Sequence, residues 1–292
     1  MKKDFDKGLL LAASGSFWWG FIGVLYFRYL TFIGYIELVV HRCLWTTFTL
    51  LLTTFFFSKW PIFTKIISNK KNLIYLFFSG FLIFINWAVW IYAVATNRII
   101  DASFGYFIMP ILSVMLGYFF FKEKLNRNRI FSISLVIISI LFLILVSFRS
   151  LPWVGIIVAL SWGFYNLIRK KINVDTDVGL LIESLFILPI AIVTFYIIVA
   201  NGHNDFKLSE PSMMIFIFLA GPMTVIPLFL YVRGVELCGL GPTGMIFYIT
   251  PTLQFLLGFF YYDEPFSITK LVSFIFIWIA VVIYLKDLYE TN

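Results

Sequence analysis

The sequence predicts an all-α integral membrane protein of about ten transmembrane helices in two inverted-topology repeats of about five helices each. Three observations carry that expectation. The 292 residues are 61% hydrophobic and only 13% charged, with a mean hydropathy of +0.97, whereas a soluble domain is nearer one half apolar. Apolar runs of about twenty residues, long enough to cross a bilayer, recur along the whole chain. The chain also repeats itself: Pro110-Ile111-Leu112, Leu116-Gly117-Tyr118-Phe119 and Glu123 return as Pro251-Thr252-Leu253, Leu257-Gly258-Phe259-Phe260 and Glu264, every matched position displaced by 141.

Taken in order, the apolar runs fall near 8–29, 34–57, 73–95, 102–121 and 130–147 in the first half, and near 151–168, 178–200, 213–232, 241–261 and 267–285 in the second. The first begins like a signal peptide, but its apolar stretch continues through Trp18-Trp19 to Phe27, too long for a cleaved segment. Short breaks hold the charges and turn residues, as in Asn201-Gly202-His203-Asn204-Asp205. Two further echoes link Trp19-Gly20-Phe21 to Trp162-Gly163-Phe164 and Ile36-Glu37 to Ile182-Glu183. The halves are therefore read as 1–150 and 151–292.

The net charge of +7 is distributed by side. With ten spans, Lys2, Lys3, Lys7, the Lys59–Lys71 and Lys122–Arg129 loops, Arg169-Lys170-Lys171, Arg233 and Lys286 all share one face, against Arg28, Arg98, Arg149, Lys207 and Lys270 on the other. By the positive-inside rule both termini are expected in the cytoplasm, and the charge serves anchoring rather than nucleic-acid binding. An odd number of spans per half inverts the second repeat, the architecture of alternating access. Cys43 and Cys238 are expected at different depths and as free thiols.

The paired Pro, Leu-Gly and Glu resemble the duplicated EamA unit of the drug/metabolite transporter superfamily. Glu37, His41-Arg42, Trp45, Asn86-Trp87, Gly105-Tyr106-Phe107-Ile108, Phe164-Tyr165, Arg169-Lys170-Lys171, Leu181-Ile182-Glu183, Pro189 and Tyr248-Ile249 resemble its RarD branch, the chloramphenicol-sensitive proteins. The resemblance covers nearly the whole chain. It implies a ten-helix bacterial inner-membrane carrier with a central cavity, and no particular substrate. Where that branch often carries Asn and Gln, this chain has Met109 and Phe247, which implies a less polar cavity if those positions line it.

An ionisable group inside a span costs about 2.5–3.5 kcal/mol on insertion scales, so each needs a partner or water. Glu37 and His41 share a helical face at i, i+4, with Arg42 beside them, and Glu183 is the repeat counterpart of Glu37. The two carboxylates suit a cationic amine, or one takes up a proton; Arg42, near Glu37 in sequence, makes Glu183 the better proton carrier. Glu37 equally fits a solvated first helical turn, Arg42 an ion pair that holds the bundle together, and His41 either a hydrogen-bonding scaffold or a pH switch. Trp19, Trp90, Tyr106, Trp162, Tyr165 and Tyr248, with Trp18 and Trp87, either converge on a cavity that stacks on rings or cations or belong to interfacial belts, as Trp60 and Trp153 do. Asn86 and Asn166 contact substrate or bridge helices. Pro110 and Pro251 are candidate hinges.

No glycine loop ending in Lys-Ser or Lys-Thr is present, which argues against an intrinsic ATPase. Two histidines and no aspartate-rich cluster argue against a metal-dependent intramembrane enzyme. The expectation is a secondary transporter of a small organic metabolite or drug, amine- or amino-acid-like, with a channel or receptor as the alternative. No cofactor or metal is expected. The partners are a small-molecule substrate, the lipid bilayer and a coupling proton, in a monomer or homodimer.

Overall fold

The computed structural model describes residues 2–96, 99–147, 153–172, 174–206, 211–261 and 268–291. Glu264, the second copy of the motif glutamate, lies outside them. Every described element is helical. In the first half, α1 (Lys2–Phe17), a π-helical turn (Trp18–Gly23) and α2 (Val24–Tyr29) form one continuous run, followed by α3 (Tyr35–Phe56), α4 (Trp60–Ile67), α5 (Lys70–Ala95), α6 (Ile99–Phe121) and α7 (Arg127–Ser147). The second half contains α8 (Trp153–Ile172), α9 (Thr176–Ala200), α10 (Pro211–Phe218), α11 (Ala220–Cys238), α12 (Leu240–Ile246), α13 (Ile249–Phe260) and α14 (Ile268–Thr291).

Local chemistry starts these helices. The Asn69 side chain accepts from the Lys71 and Asn72 amides at the start of α5, and Asp175 accepts from Val178 at the start of α9, which satisfies orphan N–H groups. Large apolar side chains remain on the outside, among them Phe119 at 67% and Leu145 at 83% exposure. Such a surface suits acyl chains, and helices meet the bilayer's demand that backbone groups be bonded internally.

Among the described residues, seven helical stretches are long and apolar enough to cross a membrane: Lys3–Tyr29, Tyr35–Phe56, Lys70–Ala93, Arg127–Val146, Thr176–Ala200, Ser212–Cys238 and Leu271–Glu290. The other three runs read from the sequence differ in kind. α6 is apolar over Gly105–Phe121, α8 ends in Arg169, Lys170 and Lys171, and the run at 241–261 is divided at Phe247–Tyr248. Pro251 consequently sits in the first turn of α13, where a missing N–H costs little, whereas Pro110 lies inside α6. The two prolines read as matched hinges thus have different settings. α4 occupies what the sequence suggests is a loop, with Pro61 at its start.

The halves interleave. α1 packs on α11, α5 on α8 and α9, α6 on α8 and α12, α3 on α9 and α11, and α7 on α14. Each principal contact joins one half to the other, so neither half buries its own core. Cys43 is buried, Cys238 is half-buried, and both are free thiols.

Candidate functional site

Between the halves lies a cavity whose empty space, open solvent included, is about 500 Å³. Its walls begin with the π-helical turn, which brings Trp19 and Gly23 to the lining. Such insertions often mark functional positions because they re-aim side chains. Gly20 permits this: a Cβ there would lie 2.9 Å from the Thr250 backbone. The Thr250 hydroxyl donates to the Ser16 carbonyl at 2.9 Å, tying the irregular first run to the start of α13.

Trp162 from α8 is the hub of the aromatic wall. It meets Trp19 edge-on at 4.9 Å, Phe247 at 6.1 Å and Tyr165 in a stack at 5.6 Å between centroids. Tyr106 from α6 reaches Phe247 at 5.7 Å, and Trp90 from α5 meets Phe27 at 5.6 Å. The Trp162 indole N–H is buried. Polar lining comes from Asn86, Thr250 and Gln254. The Asn86 amide donates to the Val158 carbonyl at 3.1 Å and to Ser161 at 3.2 Å, so it bridges α5 to α8 as well as facing the cavity.

Arg42 is the charged group of the lining. It is 4% exposed, its Nε donates to Thr224 of α11 at 3.0 Å, and its guanidinium lies 4.7 Å from the ring centroids of both Phe27 and Trp87. Two cation–π contacts are worth about 1–4 kcal/mol together, against a desolvation penalty of several kcal/mol for a buried ion. No carboxylate of a described residue lies within ion-pairing distance of it.

Of the residues singled out in the sequence, Trp19, Arg42, Asn86, Trp87, Trp90, Tyr106 and Trp162 line this cavity. The others are placed elsewhere. Glu37 is in the first turn of α3 but is buried; its carboxylate accepts from the Asp205 and Phe206 amides at 2.7 and 3.1 Å, while Asp205 accepts from Gly34. His41 lies 3.5 Å from Glu37, between Phe195 and Phe206. The Tyr248 hydroxyl donates to the Phe107 carbonyl at 2.9 Å, within a separate core. Tyr165 is fully buried behind Trp162 and donates to Glu183 at 3.2 Å.

Glu183 accepts from Ser79 at 2.6 Å and faces Arg169 at 3.5 Å. This corrects two sequence readings. Arg169 is not a loop cation: its side chain is 0% exposed, in the last turn of α8, with Glu236 at 3.7 Å and the Thr176 carbonyl at 3.0 Å. And the arginine that faces a repeat-related glutamate is Arg169 at Glu183, whereas no arginine of the described residues pairs with Glu37. The echo of Glu37 in Glu183 is also displaced. Arg42 and Glu183 are each the eighth residue of their helices, at the same offset of 141 as the Pro and Leu-Gly motif.

Gln254, Thr250, Phe27 and Gly23 escaped the sequence reading. Gln254 carried the same signal as Asn86, an amide inside an apolar run; nothing in the sequence marked the other three. Phe247 does line the cavity, whereas Met109 is 1% exposed and takes the Ser113 hydroxyl on its sulfur at 3.1 Å.

The bundle end that holds the N-terminus is sealed by contacts between halves. The Glu123 carboxylate accepts from the Leu240 and Gly241 amides at 2.8 and 2.9 Å. Asp287 accepts from Asn126, Asn128 and Arg129 at 2.6, 3.0 and 2.8 Å. Lys59 donates to Asp175 and Asp177 at 3.2 and 2.6 Å. A larger groove of about 880 Å³ outside the cavity, along α3, α5 and α9, has an apolar lining without a charged group and fits acyl chains better than a polar solute.

The EamA-like transporter family matches twice, over residues 6–145 and 151–286. The chain belongs to this family. It is 34% identical to a protein of Vibrio cholerae named an uncharacterized transporter, over 98% of this chain and 94% of that one. It is 33% identical to the uncharacterized transporter YojE of Bacillus subtilis, over 96% and 94%. Protein RarD of Escherichia coli is 32% identical over 99% and 97%, which places the chain in the RarD-type branch. A crystal structure at 13% identity shares the fold, with a TM-score of 0.69 over 95% of this chain and 96% of its own. This EamA protein is accordingly a multi-pass membrane protein of a transporter family.

Proposed function

We propose that this chain is a secondary transporter of the bacterial inner membrane that moves a small organic metabolite or drug by alternating access. The observation that carries the reading is the central cavity: both halves line it, aromatic rings dominate it, and cross-half contacts close the bundle beneath it. Arg42 lies about two turns from the start of α3, and Trp90 lies near the far end of α5, so the cavity sits toward the end opposite the seal.

The packing supports ten helices in two inverted repeats. When helices are exchanged between halves in sequence order, α1 on α11 becomes α8 on α5, and α3 on α11 becomes α9 on α5. α3 on α9, α6 on α12 and α7 on α14 each map onto themselves. A two-fold relation between the repeats requires such pairing. With both termini cytoplasmic, as the loop charges favour, the structure is the outward-facing form. Rocking the halves then breaks the Glu123 and Asp287 contacts and opens the cavity inward.

The test is exchange in proteoliposomes. Detergent-purified protein is first screened by thermal shift against amines, amino acids, aromatic acids, nucleosides and antibiotics, because a ligand of the native state raises its melting temperature. The stabilising compound is then assayed for counterflow. Saturable uptake accelerated by unlabelled compound inside supports a carrier. Flux without trans-acceleration supports the channel reading instead, and no flux of a compound that binds supports a receptor.

A further inference from the structure

We infer that the solute carries one anionic group, a carboxylate attached to an aromatic body, and that Arg42 binds it. This rests on the reading of the cavity as the solute site and names the chemistry it selects. Arg42 is buried, yet its only hydrogen bond among the described residues is Nε to Thr224. Phe27 and Trp87 supply ring faces to the guanidinium, not acceptors. Nη1 and Nη2 hydrogen-bond to no described residue.

Neither nearby buried acid is available to them. The Glu37 carboxylate is committed to the Asp205 and Phe206 amides, and Glu183 to Ser79, Tyr165 and Arg169. A guanidinium presents a planar fork of donors that matches a carboxylate in two parallel bonds, so an incoming oxyanion supplies what the fold leaves out. A second polar donor, the Trp162 N–H, belongs to the same cavity.

The charge count sets the class. Among the described residues, Arg42 is the one ionisable cation lining the cavity, and no carboxylate lines it. A monoanion therefore neutralises the site, a dianion overshoots it, and a cationic amine without a carboxylate meets like charge in a poorly screened space. The ring wall of Trp19, Trp162, Phe247 and Tyr106 fits a flat apolar body next to that charge.

Calorimetric titration of the full-length protein in nanodiscs with indole-3-acetate, indole-3-acetamide and tryptamine isolates the charge, since the three share one ring system. The acetate is expected to bind at least about tenfold more tightly than the amide, the margin of a charge-assisted hydrogen bond over a neutral one, with tryptamine weakest. In Arg42→Gln the acetate is expected to fall to the affinity of the amide, which keeps its own. Thr224→Val, which removes the partner of Nε, weakens the acetate alone. If Arg42→Gln yields no folded protein, the wild-type ratio of acetate to amide still decides. Equal affinities for amide and acetate, or preference for tryptamine, overturn the anionic assignment and leave the aromatic cavity standing. Absence of binding by all three at millimolar concentration overturns the inference together with the reading of this cavity as an aromatic solute site.

Discussion

Arg42 and Glu183 occupy the same place in two copies of one design. Each is the eighth residue of its helix, and α3 and α9 pack against each other. Glu183 is surrounded by donors from two helices: Ser79 of α5, and Tyr165 and Arg169 of α8. Arg42 has one hydroxyl and two ring faces. The comparison teaches that duplication lets one copy of a buried charge become structural, neutralised and knotted into the bundle, while the other is left unmet beside a cavity. A buried ion pair is a weak source of stability, but breaking one is expensive, whereas removing a lone buried charge relieves a cost.

Arg169 offers the largest way to break that comparison. Arg169→Met strands the Glu183 carboxylate and is expected to cost about 3–5 kcal/mol, seen as loss of the monodisperse peak in size-exclusion chromatography. Adding Glu183→Leu removes the stranded charge and is expected to recover part of the folded yield. If Arg169→Met alone folds normally, Glu183 is not structurally held and the contrast with Arg42 collapses.

The next effect is one of opposite sign. Arg42→Gln is expected to leave the melting temperature unchanged or raised, by up to about 1 kcal/mol in stability, because it removes an uncompensated charge. A loss as deep as that of Arg169→Met would make Arg42 structural. Trp162→Ala sharpens the same side: it removes the hub of the ring wall and is expected to weaken an aromatic solute by about 1–2 kcal/mol, near tenfold in Kd, as titration will read.

Smallest is the effect of Lys59 at the sealed end. Burial alone lowers its pKa, but hydrogen bonds and charge from Asp177 and Asp175 outweigh this and raise it above the ordinary lysine value. A cation held above its unfolded pKa stabilises fully below that value and loses the benefit as pH rises through the folded one. Lys59→Met is therefore expected to cost about 0.2–1 kcal/mol at neutral pH, with the difference in melting temperature shrinking only above about pH 10.4. A difference that vanishes between pH 7 and 9 would show that the contact is not made by the charged lysine.

The membrane class and the helical spans were legible because lipid imposes a constraint visible in any window of sequence: long apolar runs and little charge. The repeat was legible because Pro110 with Pro251 and Leu116-Gly117 with Leu257-Gly258 keep one spacing. Seven of the residues singled out line the cavity because buried tryptophans and mid-span polar groups are rare enough to be noticed. Glu37 stayed between two readings because a carboxylate near a helix start looks the same in sequence whether it is solvated or accepting from a distant loop, as it does from Asp205 and Phe206.

The sequence alone determined that the chain crosses a membrane, that it is built twice, and which residues carry unusual cost in lipid, since composition and periodicity are local properties. Only the tertiary structure decided how those costs are met. The pairing of Arg169 with Glu183 joins two helices at i, i+14, and that of Glu123 with Leu240 spans 117 residues. The isolation of Arg42 depends on where the described acids of the bundle, Glu37 and Glu183 among them, have been spent. Partners are a matter of distance in space, and the interleaving of the two halves sets that distance.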